Sequence, residues 1–174
     1  MRNILIECDD IMLCTTELVD LDVIISIERD KKNKHYIYQW SMEQHYRKII
    51  AEDWMHIVII RKDTQTIIGY ILLEGIQSEH DTIELTRMTI QEKGKGYGRK
   101  ALKLIKSLCF ETFGCHRLWL DVFEDNKNAI SLYETEDFLY EGTFRECKKH
   151  EDKYYSMHIM SILKHEYFKN EVKK

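Results

Sequence analysis

TIELTRMTIQEKGKGYGRKAL, residues 82 to 102, passes from a β-type run through a glycine-rich turn into a helical pattern. The chain has seven glycines and no proline, yet Gly94, Gly96 and Gly98 fall together here among Lys93, Lys95, Arg99 and Lys100. A strand that runs through glycines into a helix presents unpaired backbone N–H groups and the positive end of a helix dipole, which together make a ready anion site. Glycine also lets the backbone approach a phosphate closely. Arg99 and Lys100 sharpen the reading, because a cation in a first helical turn is disfavoured by about 0.3–1 kcal/mol and an anion would offset that cost. A solvated turn with its cations in water is the simpler alternative.

Within the strand, Ile83 and Leu85 share one face, but Met88 and Ile90 lie on the other. Such a phase slip predicts a β-bulge near Thr86 and Arg87, or else a strand buried on both faces. Beyond the glycines, Ala101, Leu104, Ile105, Leu108 and Cys109 form the apolar stripe of a helix that stops at Gly114. Upstream, residues 56–75 read as a hairpin turning at 62–65, and IMLCT (11–15) as a short strand. Between them, Leu18, Leu21, Ile24, Ile25 and Ile27 mark a helix over 18–30, and Ser41 caps a second over 41–52. Downstream come a strand at 116–123, a helix at 126–134 beginning at the cap residue Asn126, a hairpin of 138–147 with 153–163, and a short tail. This order describes one α+β domain with a mixed sheet.

The bulk properties agree with a single domain and exclude several classes of function. A chain of 174 residues buries about two thirds of its unfolded surface. Hydrophobic residues at 44% and charged residues at 32% argue against disorder, and no apolar run approaches the roughly 18–20 residues that span a bilayer. The start, MRNILIECDDIM, has acids where a signal peptide needs an apolar stretch, so a cytoplasmic protein without a membrane partner is expected. A net charge of −4 gives no reason to expect nucleic acid as a partner. The five cysteines are odd in number and lack a CxxC, and the eight histidines lack an HExxH, so no disulfide frame and no metal are expected.

Spacing narrows the phosphate ligand. No glycine precedes a GK pair at Walker spacing, and GKGYG lacks the GxGxxG of a dinucleotide fold, which disfavours ATP and NAD. KGKGYGRKAL resembles instead the acetyl-CoA loop of the GCN5-related N-acetyltransferases, which reads Gln or Arg, two residues, Gly, one residue, Gly or Ala, entering a helix with Ala-Leu. Lys93 takes the Gln/Arg place, Gly96 and Gly98 the small places, and Ala101-Leu102 stand in register. A register from Gln91 would match Gly94 and Gly96 but spoil the spacing to the helix. A second block, LWLDVFEDNKNAISLYETEDF (118–138), resembles the family's strand-helix pattern at Val122, Asn126, Ala129 and Tyr133, with Asp137 replacing the glycine before Phe138. EGTFRE followed by KYYSMHIMSILKHEY resembles the branch that contains ribosomal-protein N-terminal and spermidine acetyltransferases.

The resemblance implies a mostly antiparallel central sheet flanked by helices and direct transfer of an acetyl group from acetyl-CoA to an amine in a ternary complex. It places Tyr133 as the acid that protonates the CoA sulfur, against the alternative of a core tyrosine; a phenol of pKa about 10 suits a thiol near 8.5. It places Met88, Thr89 and Ile90 along pantetheine, with an N–H near Met88 facing the thioester oxygen. Lys93, Gly94, Lys95, Gly96, Tyr97, Gly98 and Arg99 would hold the pyrophosphate, and Asn126 would touch the pantetheine arm beside its cap role. Glu84 is the candidate base, with a water chain as its rival; it shares a face with Met88 only if no bulge intervenes. A small amine is the expected acceptor, a polyamine ahead of a protein N-terminus or an aminoglycoside, and Asp20, Asp22, Glu28, Asp30 and Glu43 could attract a polycation. A homodimer is common in the branch. A CoA-binding sensor without catalysis is the contrasting class.

Overall fold

The computed structural model describes residues 2–150 and 152–171. Among these residues, eight strands form one sheet in the order β1-β2-β3-β4-β5-β6-β8-β7. They are β1 (Ile4–Glu7), β2 (Ile11–Thr15), β3 (Trp54–Arg61), β4 (Thr66–Glu74), β5 (Thr82–Ile90), β6 (Arg117–Phe123), β7 (Leu139–His150) and β8 (Lys153–Leu163). Every neighbouring pair is antiparallel except β5 with β6. The helices are α1 (Leu21–Arg29), α2 (Met42–Ile49), α3 (Tyr97–Ser107), α4 (Lys127–Thr135) and α5 (Lys164–Glu171).

The central strands are apolar on both faces because both are covered. Along β2, Ile11 and Leu13 join the core that contains Ala101, Leu102 and Ile105 of α3, whereas Met12 and Cys14 join the one containing Leu21, Ile24 and Ile27 of α1. The alternation of period 2 therefore sorts one strand's side chains between two hydrophobic layers. Most predicted elements stand where the sequence placed them, with shorter helices. The first begins as a tight turn at Leu18–Asp20, which the Asp20 carboxylate caps by accepting from Glu17 N at 2.9 Å. The third ends as α3 at Ser107 and continues through a wider turn at Leu108–Thr112 before Gly114, whose φ of +69° closes it.

Two elements have no counterpart in the sequence reading. Four residues of β1 are too few for an alternation to register, and they pair with β2 through a turn in which Cys8 N donates to Ile11 O at 2.9 Å. The tail after Leu163 forms α5, which lays Tyr167 on Phe110 with ring centroids 4.9 Å apart.

The two helices of the α3/α4 layer are tied by a buried ion pair. The Lys106 ammonium donates to Glu136 O at 2.8 Å and to Glu136 Oε2 at 3.1 Å, with both residues buried. Removing one partner strands a buried charge, so Lys106→Ala is expected to destabilise the fold by about 3–5 kcal/mol, and Lys106→Met by less. Urea melts of the two variants check this. A Lys106→Ala midpoint equal to wild type would show the pair to be energetically silent.

Candidate active site

β5 and β6 are hydrogen-bonded neighbours only at Thr82↔Arg117, Ile83↔Leu118 and Glu84↔Trp119. Beyond Glu84 the parallel strands part, and the main-chain groups of β5 that turn towards β6 have no strand partner there. The cause lies on the other side of β5, where the register against β4 slips between Leu72↔Arg87 and Leu73↔Leu85. Thr86 is the extra residue of a β-bulge, at the position the apolar phase slip indicates, and the bulge bends the strand away from its neighbour.

The bulge also sorts side chains. Directly paired residues share a face. Met88 thus goes with Ile71, in the α3/α4 layer, while Arg87 goes with Leu72 and Thr89 with Tyr70, in the α1/α2 layer. Glu84 pairs with Glu74, one residue on from Leu73 of the α3/α4 layer, so it lies on the α1/α2 face, opposite Met88. The bulge-free alternative, with Glu84 and Met88 on one face, is thereby corrected. Across the gap, Trp119 shares Glu84's face, and Asp121 and Phe123 follow it at alternate positions of β6.

The parted strands open a cavity of about 960 Å³. Of the residues the sequence picked out, Glu84, Met88, Thr89, Ile90, Lys93, Gly94, Gly96, Tyr97, Gly98, Asn126 and Tyr133 line it, whereas Lys95 and Arg99 do not. The glycine loop carries the geometry of an anion cradle. Gly94 and Gly96 have φ of +78° and +79°, conformations that side chains other than glycine rarely adopt, and a Cβ at either would meet nothing within 4 Å. Among the described residues, no N–H of residues 94–99 donates to a backbone carbonyl, and the first internal bond of α3 runs from Lys100 N to Gly96 O at 3.1 Å. A row of free donors over open space at a helix start fits the pyrophosphate of a nucleotide cofactor.

The loop's cations are mostly answered from within the chain. Lys95 pairs with Glu92 at 2.6 Å, Arg99 with Glu136 at 3.4 Å, and Lys100 with Asp10 in the β1–β2 turn. Arg99 also donates to Thr135 Oγ1 at 3.1 Å, which holds it against the end of α4 and away from the cavity. The anions that offset those cations are therefore protein carboxylates, and none is visible in the local sequence except Glu92.

At the closed end of the gap, Glu84 and Asp121 face one another from adjacent strands, with Lys148 3.7 Å from Asp121. Partial burial, then the negative fields of Asp121 and Glu74, push the Glu84 carboxyl up to about 7; Lys148 opposes them. Burial likewise raises the Asp121 carboxyl, against the pull of Lys148. Tyr133 approaches from α4, on the far layer, and is 8% exposed. Burial first and the Asp121 charge second raise its phenol above the ordinary value, so it holds its proton throughout neutral pH. Asn126 caps α4 by accepting from Ala129 N at 3.3 Å, and Asp137 adopts the left-handed φ of +71° that its place before Phe138 requires.

Sequence reasoning missed the supports of this end. Glu28, read as a surface acid of the first helix, is wholly buried and is the hub of a polar cluster. It accepts from Arg87 at 2.6 Å, from Trp40 N at 2.9 Å and from the Tyr70 hydroxyl, with His45 Nε2 3.2 Å away. Burial alone would raise the Glu28 carboxyl, but these donors outweigh it and hold the carboxyl below its usual range. His45 Nδ1 lies 3.0 Å from His56 Nε2, and burial with the nearby His45 lowers His56 to about 3, so His56 is neutral. The cluster fixes Arg87, which lines the cavity and stacks on Trp40 at 4.4 Å. Asp20 is also buried, held by Arg2 at 2.6 Å, so Asp20 and Glu28 are not part of an open acidic face, whereas Asp22 and Glu43 are exposed, Glu43 in a surface pair with Arg47 at 2.5 Å.

The comparisons with known proteins bear on this arrangement. The profile of the acetyltransferase (GNAT) family matches residues 22–138. The chain is 33% identical over 84 residues to a spermine/spermidine N(1)-acetyltransferase of Bacillus subtilis, a match covering 44% of this chain and only 55% of that relative. It is 26% identical over 128 residues to a spermidine N(1)-acetyltransferase of Vibrio cholerae, covering 73% of this chain and 74% of the relative. The structure of a Vibrio cholerae spermidine N-acetyltransferase in complex with CoA and spermine superposes with a TM-score of 0.82 at 23% identity, over 91% of this chain and 98% of that one, which shows a common fold. With the parted strands, the glycine loop and a family profile spanning most of the chain, the protein belongs to the GNAT acetyltransferase family.

Proposed function

We propose that this single domain transfers the acetyl group of acetyl-CoA to a primary amine by direct attack in a ternary complex, with a polyamine or another small amine as acceptor. One observation carries the reading: a single cavity joins a row of free loop N–H groups to a protonated phenol and a carboxyl poised near neutrality on opposite faces of the sheet gap. Acetyl-CoA supplies an activated acyl group. The loop would seat its pyrophosphate, and the unpaired main chain of β5 from Met88 to Ile90 would align pantetheine, with an N–H near Met88 stabilising the charge that develops on the thioester oxygen. Asn126, beside its cap role, would face the same arm. As the C–N bond forms and the C–S bond breaks, Glu84 takes the amine's proton and Tyr133 gives its own to the departing sulfur.

The acceptor end supports an amine. Arg87 is neutralised by Glu28 and Lys148 by Asp121, whereas Glu84 between them forms no ion pair among the described residues. Tyr36, Trp40 and Phe123 supply flat walls suited to methylene chains and cations. The polyamine choice also draws on the acceptors named for the Bacillus and Vibrio relatives. We place the enzyme in the cytoplasm, in keeping with five free cysteines, and as a homodimer, for which the exposed Leu139, Tyr140 and Phe144 of the edge strand β7 offer an apolar surface.

Thiol release from acetyl-CoA, followed with spermine, spermidine, an aminoglycoside and a ribosomal-protein N-terminal peptide, tests the reading. The polyamines are expected to turn over at least about tenfold faster than the peptide, as one lost charged contact would produce. Preference for the peptide would make the chain an N-terminal acetyltransferase. CoA binding without turnover of any amine would make it a sensor.

A further inference from the structure

Of the loop's cations, Lys93 is the one that has no ion pair among the described residues. Lys95, Arg99 and Lys100 are each ion-paired, whereas neither Lys93 nor Lys32 forms an ion pair among the described residues. Lys32 belongs to the segment between α1 and α2, which covers the cavity from the α1/α2 side, and both lysines line that cavity. Although much of the Lys93 side chain is exposed, its ammonium is crowded by the cleft; that partial desolvation and the field of Lys32 lower its pKa, while Asp30 opposes them. Like charges brought together from separate segments, with no ion pair to either, are unfavourable, and a bound anion would offset that cost.

The ligand's chemistry can be narrowed. The free N–H groups of residues 94–99 and the start of α3 already suit a pyrophosphate, whose phosphoryl groups carry about one charge each. Lys93 stands at the loop's first position, its own N–H spent on Gln91 O at 3.1 Å, so the side chain is what it offers. A phosphomonoester carries about −1.5 to −2 at neutral pH and calls for two cations. A second feature of the same segment points to a ligand. Asn33, next to Lys32, is 2% exposed and donates through Nδ2 to Ile27 O at 2.8 Å, but its buried Oδ1 has no partner and the residue lines the cavity. An amide N–H of a pantetheine arm would satisfy it.

We infer that Lys32 and Lys93 close from opposite walls of the cleft on the 3′-phosphate of CoA, making the α1–α2 segment a second cofactor-binding element. The inference rests on the CoA reading above, and the two can fail separately. Calorimetric titration of the wild type, Lys32→Ala, Lys93→Ala and the double variant with CoA and with 3′-dephospho-CoA decides it. Wild type is expected to prefer CoA by about 10- to 100-fold, the worth of charge-assisted contacts to one group. Each single variant should lose part of that preference and the double variant all of it, while Lys32→Ala, which lies outside the glycine loop, keeps the wild-type affinity for dephospho-CoA, which also shows that it folds. Equal weakening of both ligands would assign the lysines to the pyrophosphate and overturn the inference. A wild type that binds both ligands equally would overturn it too. A wild type that binds neither would remove the CoA reading itself.

Discussion

Replacing Tyr133 by phenylalanine is expected to lower the single-turnover rate of acetyl transfer about 10²- to 10⁴-fold while leaving CoA affinity within about twofold of wild type. The phenol is buried on α4, within the field of Asp121, and lines the cavity that the glycine loop also lines. Phenylalanine keeps the packing against Phe138, whose ring centroid is 5.7 Å away, and removes the hydroxyl. The raised pKa fits this role. An acid that stays protonated at neutral pH is ready when the thiolate leaves, and gives up its proton only to a strong base developing beside it. Rapid-quench single turnovers separate chemistry from product release. An unchanged rate would take Tyr133 out of the mechanism and leave it a core aromatic.

Glu84→Gln is expected to cost about 10²- to 10⁴-fold in kcat/KM as well, and the shape of the pH profile distinguishes a base from a structural carboxyl. Glu84 must be ionised to accept a proton, and its carboxyl titrates at about 7, so wild-type kcat/KM should rise with pH through that region. The sign of two further changes follows from the neighbours. Asp121 disfavours the charged form of Glu84, so Asp121→Asn should move the rising limb to lower pH. Lys148 favours the charged form, so Lys148→Ala should move it to higher pH. Asp121 itself lines the cavity, and the direction in which the limb moves is independent of the height of the plateau. A limb that stays put in both variants, or survives in Glu84→Gln, would transfer the role to a water chain.

The features that could be read locally were those written into periodicity and turn chemistry. Ile83 and Leu85 against Met88 and Ile90 encode the bulge at Thr86, since side chains alternate strictly until a residue is added. Gly94 and Gly96 encode the loop because their φ values suit almost no other residue. Asn126 encodes the start of α4 by capping it. What the bulge does to Glu84 could not be read, since it depends on which of two layers each face of β5 meets. Nor could the hub at Glu28, whose periodicity on α1 looks like that of any solvated acid until Tyr70, Arg87 and His45 arrive from three other elements.

By itself, then, the sequence determined the order of the main elements, the place where the sheet would slip, and the glycine-rich turn that opens α3, all of which depend on neighbours within a few positions along the chain. Only the tertiary structure decided that β5 and β6 part after Glu84, that Asp121 and Lys148 act on the charge of that carboxyl, and that Asp10, Glu92 and Glu136 answer three of the loop's cations while Lys93 and Lys32 form no ion pair among the described residues. Coulomb fields and desolvation act through space, and the residues that exert them on one another here lie as far apart as Asp10 and Lys100, so no local pattern carries them.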